Sequence, residues 1–146
     1  MKKKSLGPVL VLGLLFLSAC GAKKSSFKIG ETTRADVIAL KGEPLSEEAV
    51  PIPDGKIMQY QDNEKIQLKG EMVTNRFTNP KGDEKLVMWW KHKFKECTGL
   101  KLIKLAQDVK SHLPPEIEMA CPEEGISVIF TEGSDTISRV VEYEKK

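Results

Sequence analysis

Leu86-Val87-Met88-Trp89-Trp90-Lys91-His92-Lys93-Phe94, or LVMWWKHKF, holds both tryptophans of the chain, and its reading decides the fold. Leu86, Met88, Trp90 and Phe94 recur at a period of two, which places them on one side of an extended strand. Val87 and Trp89 fall on the other side before lysines take it over. The stretch therefore reads as one long arm of a hairpin. Adjacent residues of a strand point to opposite faces, so if one face is core the other tryptophan lies outward beside Lys91 and Lys93; if a helix covers each face, both are core. An outward aromatic flanked by cations suits an interface anchor. Trp89, Lys91 and Lys93 are the candidate partner contacts, with Tyr60 a weaker one.

The flanking sequence supplies the other elements. Ile66, Leu68, Gly70 and Met72 alternate with Gln67, Lys69 and Glu71, and Val73 to Thr78 continues extended, with Gly70 as a bend or bulge. Asn79 to Asp83, NPKGD, is dense in turn formers. Beyond Gly99, Leu102, Ile103, Ala106, Val109 and Leu113 recur at three- and four-residue steps. That spacing predicts an amphipathic helix ending before Pro114-Pro115, with Lys101, Lys104 and Lys110 on its solvated side. The carboxyl end reads as a second hairpin: Ile126 to Phe130, a turn over Thr131 to Asp135, and a return from Thr136 to Tyr143.

Nearer the amino terminus, Gly30 to Pro44 reads GETTRADVIALKGEP. Thr33 is a good N-cap and Asp36 lies three residues on, close to a capping box and beside the positive helix end. Val37, Ile38 and Leu40 supply a narrow apolar side, Gly42 suits a left-handed residue after a helix, and Pro44 stops continuation. A helix of about two turns, Arg34 to Lys41, is expected. Alone it would not persist, so it must pack on other structure.

The first residues carry an address. Lys2-Lys3-Lys4 precedes an uncharged run, Leu6 to Ala19, that is short for a membrane span and right for a signal-peptide core. Leu17-Ser18-Ala19-Cys20 resembles the lipobox of bacterial lipoproteins. The resemblance implies a diacylglyceryl group on the Cys20 sulfur, cleavage before Cys20 and acylation of the new amino terminus. Two or three acyl chains anchor stably where one does not. Residue 21 is Gly, not the Asp that retains enteric-type lipoproteins at the inner membrane, so the resemblance favours the outer membrane, facing the periplasm, or the cell membrane in a source that lacks an outer one. The expected organisation is a signal peptide over 1–19, a lipidated tether over 20–26 and one domain over 27–146.

Gly30, Thr32, Thr33, Val37, Gly42 and Pro44, lying just after that lipobox, resemble the helix-turn motif of the BamE-like (SmpA/OmlA) family of small outer-membrane lipoproteins. The resemblance implies two short helices packed on a three-stranded antiparallel sheet, and association with envelope proteins, including the machinery that inserts β-barrels. Ile57 to Tyr60 could serve as the family's aromatic strand, and the closing hairpin is similar to the family's. The middle of the chain carries no family signal. The expected fold class is α+β, short helices packed on one face of an antiparallel sheet with an enlarged middle.

Composition excludes some functions. Without residues 1–19 the chain has 20 Lys and Arg against 21 Asp and Glu, a near-neutral balance that argues against a nucleic-acid partner. Cys97 and Cys121 remain after Cys20, and an exported pair reads most simply as one disulfide. Free thiols are one alternative; a metal site with His92 and His112 is another, but its spacings do not match tight structural zinc sites. Serine-nucleophile, phosphate-loop, dinucleotide and calcium-loop motifs are absent, and Glu47-Glu48 and Glu123-Glu124 read as exposed acids. No cofactor, metal or catalytic residue is expected. The expectation is a non-catalytic binding or scaffold lipoprotein, with a periplasmic inhibitor or small-ligand-binding lipoprotein as the alternative.

Overall fold

The computed structural model describes residues 27–106 and 112–146. The expected signal peptide (1–19), Cys20 with the tether (20–26), and Val109 and Lys110 of the expected second helix lie outside the described residues.

The helix over Arg34–Lys41, α1, forms where the local signals put it. Thr33 is its N-cap, and the capping box closes in both directions: the Thr33 side chain accepts from the Asp36 backbone N–H, and Asp36 accepts from the Thr33 backbone. The two hydrogen bonds from Thr33 hold the Asp36 carboxyl below its ordinary pKa. Gly42 ends the helix at φ 82°, its N–H donating to the Ile38 carbonyl.

Strands follow: β1 (Ser46–Ala49), β2 (Gly55–Gln59), β3 (Lys65–Lys69) and β4 (Met72–Thr78). Gly70, at φ 60°, sits in the turn between β3 and β4, so the expected bend is a complete hairpin reversal. The helix α2 (Val87–Lys93) comes next, then β5 (Lys101–Lys104), β6 (Glu116–Cys121), β7 (Ile126–Thr131) and β8 (Arg139–Tyr143). All pairings are antiparallel, in one eight-stranded sheet of order β1-β2-β3-β4-β8-β7-β6-β5. Each half is a four-stranded meander preceded by a short helix, and the last strands of the halves pair at the centre. No internal repeat is evident in the residues; the repetition is one of topology.

This arrangement corrects the α+β expectation. Among the described residues the architecture is the sheet; the two α-helices there have eight and seven residues and make no helical layer over it. Two assignments are exchanged. LVMWWKHKF is a helix, not a hairpin arm, because Val87, Trp90 and Phe94 sit at i, i+3 and i+7 and are the residues of that stretch that are buried. Lys101 to Lys104 is an edge strand on β6, not the start of a helix. Its four residues are all exposed, so the three- and four-residue apolar steps there describe no buried face.

Residues opposite one another in an antiparallel register share a face, so the pairings sort the side chains. On the inner side one row runs Met58, Ile66, Arg76, Glu142, Ile126, Cys121. Thr74 is an extra residue in β4, a bulge opposite Gln67/Leu68, and it lets Val73 and Arg76 face the same way. Two cores form on this side. Val37 of α1 meets Met58, Tyr60, Ile66, Leu68 and Val73. Val87 and Trp90 of α2 and Phe94, which follows it, meet Met119, Cys121, Val128, Ile137 and Val140.

Candidate binding surfaces

The residues singled out in the sequence do not form one site. Trp89 is half-buried and Trp90 is buried; one helical step apart, their rings meet edge to face with centroids 4.9 Å apart. Lys93 lies over both rings, at 5.2 and 4.8 Å. Its charge is thus engaged with the chain's own tryptophans, and Trp89 is a partly capped ring, not an open anchor. Trp90 also donates its indole N–H to the Glu84 carbonyl at 2.7 Å, the partner a buried indole needs. Lys91 is exposed on α2. Tyr60 is elsewhere, 8% exposed in the first core, with its hydroxyl donating to the Gly42 carbonyl and Lys41 5.7 Å from its ring centre. Burial raises its phenol pKa. The weak candidate is a core residue that ties β2 to the end of α1.

Cys97 and Cys121 are joined as a disulfide, with Cα atoms 6.0 Å apart. The bridge fastens the segment after α2 to the end of β6, and Cys121 is wholly buried. Their sulfurs and a Glu123 carboxylate oxygen lie within 4.8 Å of one another. With the sulfurs bonded to each other, neither is a thiolate for a metal, and Glu123 accepts a hydrogen bond from the Thr98 hydroxyl.

Between the two cores sits a polar seam that the sequence did not suggest. Arg76 bonds Glu64 at 2.7 Å and Glu142 at 3.3 Å, and Lys41 bonds the other Glu64 oxygen at 2.7 Å. Burial pushes the Glu64 carboxyl up, but the hydrogen bonds from Lys41 and Arg76 outweigh it and hold the group below its ordinary pKa. The Arg76 guanidinium also lies 5.4 Å from the Phe27 ring centre. One arginine therefore links the first meander, the second meander and the residue at which the described chain begins. A cleft of about 620 Å³ opens beside it, lined by Phe27, Ile29, Ile126 and Tyr143 among others.

The outward side of the sheet is different. Its central row runs Gln59, Lys65, Phe77, Val141, Ser127, Ala120, Lys101, and a neighbouring row Ile57, Gln67, Asn75, Tyr143. The buried residues of both α-helices belong to the inner cores. Ser127, fully buried, donates to Glu118 at 2.6 Å. Over β2, β3, β4 and β8 this side holds a groove of about 380 Å³, lined by Ile57, Gln59, Asn63, Lys65, Phe77, Asn79, Ser138 and Arg139. Asn79 donates to the Asp62 carbonyl, which pins the turn beside it, where Asp62 and Asn63 both take positive φ. Neither Lys65 nor Arg139 pairs with a carboxylate among the described residues. The polar alternation of Gln67 and Lys69 marked this side of β3 in the sequence without reaching the groove itself; Lys65 and Phe77 meet through the β3–β4 pairing and Arg139 joins them through β4–β8.

The chain matches no family model, no curated protein and no solved structure. The sheet and its two faces are thus the ground for any functional reading.

Proposed function

We propose that this chain is a non-catalytic cell-envelope lipoprotein, anchored through Cys20 at the periplasmic side of the outer membrane, that binds another envelope protein through the outward side of its sheet. The observation that supports the binding role is the half-exposed set of Ile57, Asn75, Phe77 and Tyr143, from two adjacent rows of that side, while the buried residues of both described α-helices turn to the other. Aromatic residues flanked by amides and cations are the composition of a protein-binding surface. The lysine cluster, the uncharged run and the Leu17–Cys20 lipobox support the anchor. The Gly30–Pro44 motif supports a BamE-like affiliation and, through it, a partner in outer-membrane protein assembly.

Two measurements on the full-length chain test this. Palmitate labelling should be present in the wild type and lost in Cys20→Ala; equal labelling would remove the anchor. A photo-crosslinking residue at Tyr143 should capture an outer-membrane protein in intact cells, and one at Met88, 71% exposed on α2, should not. Capture from Met88 alone would move the interface to the helix side.

A further inference from the structure

We infer that the groove over β2, β3, β4 and β8 is a binding site for an acidic, extended peptide segment; the inference rests on the protein-binding reading of the outward side and names the chemistry that side accepts. The groove has three kinds of wall. Lys65 and Arg139 are exposed cations that pair with no carboxylate among the described residues, and no acidic residue lines the groove. Seven other lysines and arginines of the described chain do hold carboxylates, Arg34, Lys41, Lys56 and Arg76 in the same half. Two free cations facing one concavity therefore set a positive local field that selects for carboxylates.

The second wall is amide. Gln59, Asn63 and Asn79 line the same groove. A side-chain amide offers both a donor and an acceptor, and this matches the alternating N–H and C=O of an extended backbone better than it matches a simple anion, which can only accept. The third wall is apolar, from Ile57 and Phe77, both half-buried. By register, Lys65 lies directly opposite Phe77, so a glutamate whose carboxylate is held by Lys65 would lay its own methylene stem on the ring. Carboxylate, backbone and apolar group are together the features of an acidic peptide, and a volume of about 380 Å³ accommodates a few residues of one. A guanidinium at Arg139 adds a fork that can take a carboxylate in two parallel hydrogen bonds.

The test uses the full mature chain in detergent micelles and two probes, the capped peptide acetyl-Glu-Ser-Glu-amide, whose two glutamates share one face when extended, and succinate, followed through the backbone amide signals of Lys65, Phe77 and Arg139. The expected result is saturable movement of those signals by the peptide. Its affinity should fall at least tenfold in Lys65→Glu and in Arg139→Glu and stay unchanged in Lys101→Glu, an exposed lysine of the same side outside the groove. Succinate should bind at least tenfold more weakly than the peptide. No saturable movement, an equal loss in Lys101→Glu, or succinate as tight as the peptide would each overturn the inference, the last reducing the groove to a site for any anion. Because the peptide titration needs neither the acyl anchor nor the cellular partner, its failure is separable from failure of the crosslinking at Tyr143.

Discussion

Arg34 to Thr78 and Val87 to Tyr143 follow the same path, a short helix and then a four-stranded antiparallel meander, yet they are held by different forces. In the first half the helix is started by a capping box, and the strands are tied to it by charge: Arg34 and Lys56 on Glu47, Lys41 and Arg76 on Glu64. In the second half the helix has no side-chain cap. It is held by what it buries, Trp90 against Phe94 at 5.3 Å, by the Val87 N–H on the Asp135 carbonyl, and by the disulfide that follows it. The same topology is therefore reached once through local sequence signals and ion pairs, and once through rings and a covalent link.

The contrast should appear as unequal sensitivity to substitution, read as unfolding free energy of the full chain in urea. Trp90→Ala removes the largest buried side chain of the second core and should cost about 3–5 kcal/mol. A loss under about 1 kcal/mol would show that α2 is not seated as described. Replacing both Cys97 and Cys121 by Ala should cost about 3 kcal/mol, the entropy of closing a loop between residues 24 apart, and the same urea curves measure it.

In the first half the expected effects are smaller. Glu64→Gln breaks two charge-assisted bonds at the seam and should cost about 2 kcal/mol near neutral pH. Because the folded Glu64 carboxyl is held below its unfolded value, its contribution is fully present above the ordinary glutamate range, about pH 4.3, and is lost as pH falls through the lower folded value. The difference between wild type and variant should shrink on acidification; a constant difference from pH 7 to 3 would contradict the seam. Thr33→Ala should cost only about 1 kcal/mol, the worth of an N-cap, and Thr33→Ser much less.

The two halves were also unequally legible. The helix α1 could be read to the residue because Thr33, Asp36 and Gly42 act within one turn of it. The β7–β8 hairpin was legible because β-branched residues flank a glycine turn. The helix α2 was misread because Val87, Trp89 and Trp90 favour strands while Met88 and Leu86 complete a false period of two. The true signal, Val87, Trp90 and Phe94 at helical steps, was present and competed with it. The strand β5 was beyond reach for another reason: at four exposed residues it is assigned by its partner, β6, rather than by any pattern of its own. The groove depends on a pairing 60 to 70 residues apart in the chain, which no local period encodes; the alternation at Gln67 and Lys69 marked only the side of β3 on which it lies.

Both the seam and the outward groove exist because β4 lies beside β8. The most direct test is the set of cross-strand nuclear Overhauser contacts in the full mature chain. Contacts linking Arg76 with Glu142 and Thr78 with Val140 are predicted at the same strength as those linking Ile66 with Arg76 and Val128 with Val140. If the contacts within each meander are present and those between β4 and β8 are missing, the halves are separate sheets, and the continuous eight-stranded sheet described above does not exist.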